Sequence, residues 1–339
     1  MQREITTPGR VLDASGKPQF PGYSKRPVLT YDRKDVKAPK WRIKEWDYYA
    51  VLSPKYGCSM TIADLSYSAM VTVVVFDFET RQLWRKTKLL WLTFGKMGLP
   101  KSSYQGDVAY ESDGWLLTFK RFENHRELVA RVKQFRGEET MEASFVIEDK
   151  KDESMTILTP WAKHPKAFYY NQKINCMPAQ GTLTLGPRTI AFADTDTFAV
   201  LDWGRGVWTY KNTWYWGSLS GVVDGKRFGF NIGYGFGDTS AASENMLFYD
   251  GVAHKLDQVR FELDPSDFMK PWRFTSNDGR FEMTMTPILD RQDDLNFLVI
   301  KNLGHQVFGT FDGTATLDDG TVLKIDGLLG FAEQITNHY

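Results

Sequence analysis

The sequence predicts an all-β protein built as two antiparallel barrels or sandwiches in tandem, preceded by an extended N-terminal arm. Three observations lead there. Aromatic residues make up 14% of the chain and there are 28 glycines, which suits broad side chains on sheet faces joined by tight turns. Short β-branched or aromatic runs follow one another with Gly, Asp, Asn or Ser between them. Nowhere does strand alternate with long helix, as a parallel sheet would require.

Taken in order, residues 1 to about 40 carry Pro8, Pro18, Pro21, Pro27 and Pro39 among glycines and alternating charges, so they read as an arm lying over the body. From Trp41 onward, "WDYYAVLS", "SMTIADLSYSAMVTVVVFDF", "DVAYESDGWLLTFKRF", "ELVARVKQF" and "EASFVIE" read as successive antiparallel strands. Asp113-Gly114 suits a hairpin turn that needs positive φ. After the solvated run "EDKKDES" the same texture returns with "GTLTLG", "RTIAFAD", the aromatic "VWTYKNTWYWGSLSG" and later strands such as "LNFLVIKN". These are punctuated by "DGK", "DGV", "NDGR" and "DDGT". Helix is expected at most around 195–201 and 265–269. The halves join near residues 160 to 175, so that 1–170 form the first barrel with its arm and 171–339 the second, which carries an aromatic pocket.

Charge and cysteine usage narrow the function classes. Lys+Arg 42 balance Asp+Glu 42, leaving no net field to attract a nucleic acid. Cys58 and Cys176 lie far apart, which argues against a disulfide scaffold. The opening "MQREITTPGR" has no apolar signal region, and the longest apolar run, "AMVTVVVFDF", is of strand length. A soluble, cytoplasmic protein without a membrane span is expected, its partner a small apolar molecule.

The densest chemical signal is "DWGRGVWTYKNTWYWGSLSG", Asp202 to Gly221. Read as one strand, it places Trp208, Tyr210, Asn212, Trp214 and Trp216 on a single face. That row serves either as a packed barrel core or as a wall facing a flat or cationic ligand. Asp202 and Arg205 at its head are expected to meet across a glycine-pivoted turn, as a structural clamp or as a ligand-orienting pair. In "GFNIGYGFGDTSAASEN" the glycines do not spell a dinucleotide loop. They thin one face so that a ligand or a neighbouring backbone can approach Asn231.

Glu244, followed by Asn245 and the apolar "MLFYDG", has the surroundings that desolvate a carboxyl and raise its pKa. This makes it the leading general-acid candidate, with a plain turn glutamate as the alternative. Asp290 and Arg291 in "PILDRQDDLN" read as a surface turn after a strand end. The five histidines are scattered without metal-ligand spacing. "GSLSG" puts Leu219 where a hydrolase nucleophile would stand, and no cofactor motif is present.

The ordered motifs "RIKEWDYYAV", "YYNQKINCMPAQGTL", "DWGRGVWTYKNTWYWGSLSG", "SENMLFYDGVAHKLDQVRF", "PWRFTSNDGRFEMTMTPILDR" and "DGLLGFAEQ" resemble the DUF2804 family, a domain of unknown function, over nearly the whole chain. More remotely, such proteins resemble bi-domain lipocalin-like (calycin) enzymes, which include carotenoid 1,2-hydratases, tocopherol cyclases and fungal Diels–Alderases. The resemblance implies two lipocalin-like units. No catalytic motif of those enzymes can be placed residue by residue.

The expectation is a cofactor-independent hydratase, dehydratase, isomerase or cyclase. Glu244 would transfer the proton, Trp208, Trp214 and Trp216 would enclose the substrate beside Tyr210, and Asn231, Asn245 and Arg205 would orient a polar handle, with Asp202 pairing Arg205. Two alternatives stand beside it. One is a glycoside hydrolase or carbohydrate-binding protein, with Asp202 and Glu244 as its carboxyl pair. The other is a non-enzymatic carrier of a hydrophobic ligand.

Overall fold

A computed structural model of the chain describes residues 2–297 and 300–338, with side chains other than those of 294–302. The centre of the run "LNFLVIKN" thus lies outside the described residues. The chain is nearly all strand, folded into two curled half-barrel sheets. In the first, the order is Gln82–Trp91, Ser68–Asp77, Tyr56–Asp64, Ile43–Leu52, Phe198–Val207, Phe168–Leu185, Glu139–Glu148, His125–Arg136, Trp115–Arg121 and Val108–Ser112, with short strands beside Phe168–Leu185. In the second it is Val252–Lys255, Met246–Tyr249, Lys226–Tyr234, Lys211–Val223, Val322–His338, Ile300–Thr316, Phe281–Phe297, Trp272–Ser276 and Val259–Glu262.

The turn chemistry follows the sequence. Gly114, Gly225, Gly251, Gly279 and Gly320 all have positive φ, each in one of the hairpin signals read above. Both expected helices are absent. Residues 195–201 lead into the strand Phe198–Val207, whose partners on both sides outweigh a short helical propensity. Residues 265–269 form turns in which Asp264 and Asp267 accept backbone N–H groups two residues on. The described helical segments are the single 3-10 turns Arg33–Asp35 and Lys40–Arg42, and no helix among the described residues is long and apolar enough to cross a membrane.

The arm does wrap the body. Gly22–Ser24 pairs with Met155–Pro160, and the Arg3 amide donates to the Ala241 carbonyl 2.8 Å away. The change of sheet falls between Val207 and Lys211, whereas the expected join at 160–175 lies within the first sheet, covering the loop 161–167 between Met155–Pro160 and Phe168–Leu185 and the start of the latter. Phe168–Leu185 and Phe198–Val207 complete that sheet beside Ile43–Leu52.

Each sheet has its own core on its inner face. Residues such as Val73, Leu117, Phe145 and Trp203 fill the first, and Phe230, Trp272, Met285 and Phe311 fill the second. The outer faces meet through Tyr48, Val74, Phe76 and Val200 against Trp216, Leu289, Phe308 and Phe331. At the bulge in Phe168–Leu185, between Ile174 and Met177, Asn175 Nδ2 donates to Ser218 Oγ (2.8 Å) and the Phe230 carbonyl (3.0 Å), and the Cys176 amide donates to Ser220 Oγ (2.9 Å). A Cβ on Gly229 would lie 2.5 Å from Cys176 Sγ. The thin lane read in "GFNIGYG" therefore admits a neighbouring strand at this point.

Gly204 plays a similar part across the first sheet. It stands opposite Trp46 in the register, and a Cβ there would come within 1.9 Å of the indole. Gly204→Ala must therefore push Trp46 off the sheet. We expect it to destabilise the fold by about 1–3 kcal/mol, read as a lower urea midpoint at unchanged slope.

Candidate functional site

Where the outer faces separate, they enclose a cavity of about 270 Å³. Its walls come from both halves of the chain, since the strand Phe168–Leu185 presents Tyr169 and Lys173, Phe198–Val207 presents Asp202, and Ile43–Leu52 presents Trp46 and Tyr48. The second sheet adds Trp214, Trp216 and Glu333, and the 235–245 loop adds Phe236 and Glu244. The hollow therefore lies between two curled sheets, not within the second barrel as expected. A larger hollow, about 870 Å³, lies beside Gln2, Asn245 and Asp257. Its walls are chiefly Ser, Thr, Asn and Gln, and Tyr234 is its one aromatic residue among those described.

The aromatic wall is a box of mutually edge-packed rings. Trp46 stacks on Tyr169 (centroids 6.0 Å apart) and meets Trp208 edge-on at 5.1 Å. Phe236 meets Trp208 at 4.7 Å, Tyr169 at 4.6 Å and Trp214 at 5.3 Å. Indole N–H groups are spent on the wall itself: Trp214 Nε1 donates to Glu333 Oε1 at 3.0 Å and Trp216 Nε1 to Asn231 Oδ1 at 2.7 Å.

Into this box project ionisable groups removed from water. Glu244 is buried, and among the described residues its carboxyl has no hydrogen-bond partner. Burial, reinforced by the charge of Asp202 and opposed by Lys173 and Lys255, pushes it up to about 7. Glu333 accepts from Trp214 and, through Oε2, from Gln306 Nε2 at 3.1 Å. Burial pushes it too up to about 7, against the pull of the Trp214 hydrogen bond and Lys173. Lys173 Nζ sits 2.9 Å from Asp202 Oδ2 and 3.8 Å from the centroid of the Trp216 ring, so one cation serves a salt bridge and a π face together. Burial raises the Tyr169 phenol well above its usual range, with Glu244 adding to it.

Of the residues singled out in the sequence, Asp202, Glu244, Trp208, Trp214 and Trp216 are brought to this one cavity. The others are not. Tyr210 is exposed, because the strand breaks at 208–210 where the chain changes sheets, so the row is not continuous. Arg205 does not pair with Asp202. "DWGRG" is strand and not turn, and positions three apart in a strand face opposite sides. Arg205 lies in the first core, 2.9 Å from Asp47 and stacked on Trp203, while Asp202 takes Lys173 and the Asn171 amide (2.6 Å).

Asn231 and Asn245 sit behind the wall. Asn231 Nδ2 donates to the Glu244 carbonyl at 2.8 Å, and Asn245 Oδ1 accepts the Gly233 amide at 2.8 Å, so both set the loop that carries Glu244. Asp290 and Arg291 lie within a 17-residue strand, not a surface turn. The bulge between Pro287 and Leu289 turns Leu289 into the contact between the sheets and Arg291 into the cavity wall.

Lys173, Tyr169, Trp46 and Glu333 escaped the sequence reading. A signal did exist for two strands. In "YYNQKINC" Tyr169, Asn171, Lys173 and Asn175 alternate, a face without one aliphatic residue, and in "GFAEQITN" Glu333 and Asn337 share a face with Phe331 and Ile335. Among the described residues no three His, Cys, Asp or Glu side chains gather as a metal site would need.

Comparison with known proteins agrees with this architecture. Residues 2–339 match the family model described as Domain of unknown function (DUF2804). No curated protein matches by sequence. Among solved structures, a putative AttH from Nitrosomonas europaea superposes with a TM-score of 0.52 at 15% identity, covering 93% of this chain and 98% of that one. Kievitone hydratase from Nectria haematococca superposes with a TM-score of 0.53 at 9% identity, covering 96% and 98%. The likeness establishes the shared lipocalin-like two-unit fold.

The Glu244 shift has a consequence for stability. A carboxyl that titrates near 4.5 when unfolded and near 7 when folded contributes stability in full below about 4.5 and loses it as pH rises to about 7. By linkage the loss is on the order of 2–3 kcal/mol. Glu244→Gln should remove that part of the slope and unfold at higher urea than the unmodified chain near pH 8. An unaltered slope in equilibrium unfolding would sink this account of the carboxyl.

Proposed function

The chain belongs to the DUF2804 family, and from that premise we propose that it is an enzyme of the hydratase, dehydratase, isomerase or cyclase type. It acts on a small, largely apolar molecule held between the two sheets. The observation that carries the reading is the Glu244 carboxyl. It is buried, without a hydrogen-bond partner among the described residues, close to half-protonated at neutral pH, and turned into an aromatic hollow. A carrier protein needs the hollow but gains nothing from a bare acid in it. The size of the cavity, about 270 Å³, suits a small ligand. Its indole and phenyl walls favour an apolar body over a sugar.

In this reading the neutral Glu244 delivers its proton to a double bond or to a departing hydroxyl. Positive charge that develops on carbon is met by the faces of Trp46, Trp208, Trp214 and Trp216 and by Asp202 of the Lys173 salt bridge. Glu333, held by Trp214 and Gln306, takes a proton from water or from a neighbouring carbon. Two carboxyls whose affinities for a proton are both near neutrality can exchange roles without a large penalty in either direction. The Asp202–Lys173 pair keeps the remaining charge balanced and immobile.

Any ligand that co-purifies would identify the substrate class by mass spectrometry, after which allylic alcohols and phenolic alkenes of that skeleton can be screened for gain or loss of one water. Glu244→Gln is expected to lower turnover by about 10²–10⁴ with binding little changed. The rate of the unmodified enzyme should fall as pH rises through about 7, where Glu244 loses its proton. Full turnover by the Gln variant would remove the proposal.

A further inference from the structure

We propose that the rim of the cavity is a docking surface for an anionic lipid bilayer. This goes beyond the catalytic reading and does not depend on it. Leu89 and Trp91 line the cavity and also face solvent. Around them large apolar side chains stay exposed, with Trp91 at 63%, Leu92 at 62%, Trp41 at 54% and Phe94 at 42%. Exposed apolar residues gathered in one place mark an interaction site, and these are gathered. The Leu92 amide donates to the Tyr67 carbonyl at 2.8 Å and the Phe94 amide to the Ser66 carbonyl at 2.9 Å. Lys44 Nζ reaches the carbonyls of Leu65 (2.8 Å) and Trp41 (3.3 Å), so the 3-10 turn that carries Trp41 lies beside Leu65.

The loop is held rigidly in this pose. Asp64 is buried and accepts from the amides of Ser66 (2.8 Å) and Gly95 (2.8 Å) and from Thr93 Oγ1 (3.0 Å). Thr93 is thereby drawn inward, and its neighbours Leu92 and Phe94 are turned outward with φ of 57° and 47°. Left-handed backbone is unfavourable for large side chains. The fold keeps two of them there, pointing into solvent, where nothing in the described chain covers them.

Charge selects the partner. Between Glu79 and Asp107 the sequence has no acidic residue, yet it carries Arg81, Arg85, Lys86, Lys88, Lys96 and Lys101, in a chain of zero formal net charge. Among the described residues Lys40, next to Trp41, and Lys96, two residues after Phe94, form no ion pair, and Asp32 nearby is taken by Lys101 at 2.6 Å. Aromatic and leucine side chains set among lysines bind the anionic headgroup boundary of a membrane. A second copy of the same cationic face would be repelled. A nucleic acid would satisfy the lysines but leave Leu89 and Leu92 without an apolar partner. A bilayer also supplies apolar molecules directly at the opening of the hollow.

The test is co-sedimentation of the full chain with vesicles of phosphatidylglycerol and phosphatidylcholine, against phosphatidylcholine alone. Binding to the anionic vesicles is expected, weakened by salt. The double variant Leu92→Asn with Phe94→Asn should bind about tenfold more weakly or worse while melting no lower than the unmodified chain, because Asn tolerates left-handed backbone. Lys40→Gln and Lys96→Gln together should erase the preference for anionic lipid. The proposal is overturned if the unmodified chain stays in the supernatant, if both variants bind as well as it does, or if it forms a dimer in solution that the Asn variant dissolves.

Discussion

A buried lysine lets Asp202, Glu244 and Glu333 share one small apolar hollow. Lys173 lies 2.9 Å from Asp202, 3.8 Å from the centre of the Trp216 ring, and within electrostatic reach of both Glu244 and Glu333. With Asp202 held in that contact and by Asn171, the other two carboxyls settle near neutrality because burial, with the charge of Asp202 behind it, outweighs the pull of Lys173. Without the cation, three carboxyls in one dry space would have to be protonated or driven apart. The reactivity proposed for Glu244 thus rests on a charge that itself does no chemistry.

That arrangement exists because the sheets meet by their outer faces. An inner face of a curled sheet is fully used by its own core, as Phe230, Trp272 and Phe311 show in the second half. The outer faces are free to carry polar residues at alternate positions, provided the other sheet covers them. The bulge at Asn175 and Cys176, seated on Gly229 and tied to Ser218 and Ser220, fixes how closely the two approach. Trp46, lying over Gly204, fixes the opposite wall of the hollow.

Much of the fold was legible because turns and alternation are local. Asp113-Gly114 and its counterparts set hairpins wherever they occur, and β-branched runs between them can only be strands. The concentration of tryptophan near Trp208 and the apolar flanks of Glu244 were visible for the same reason. Pairing was not legible. Whether Asp202 meets Arg205 or Lys173 depends on strand versus turn at "DWGRG", and that is decided by the partner strands Ile43–Leu52 and Phe168–Leu185, far away in sequence. Glu333 was hidden likewise: "GFAEQ" places it on a sheet face, but only the opposing sheet makes that face dry.

The hollow's walls run from Trp46 to Asn337, nearly the full span of the polypeptide, and this bears on the order of assembly. Contacts of such long sequence separation form late, after the local hairpins and each half's own interior have condensed. During folding Glu244 and Glu333 therefore stay hydrated until the halves close on each other. Their loss of water belongs to the last step of the pathway, so acidic conditions, which leave these groups uncharged beforehand, ease that final closure.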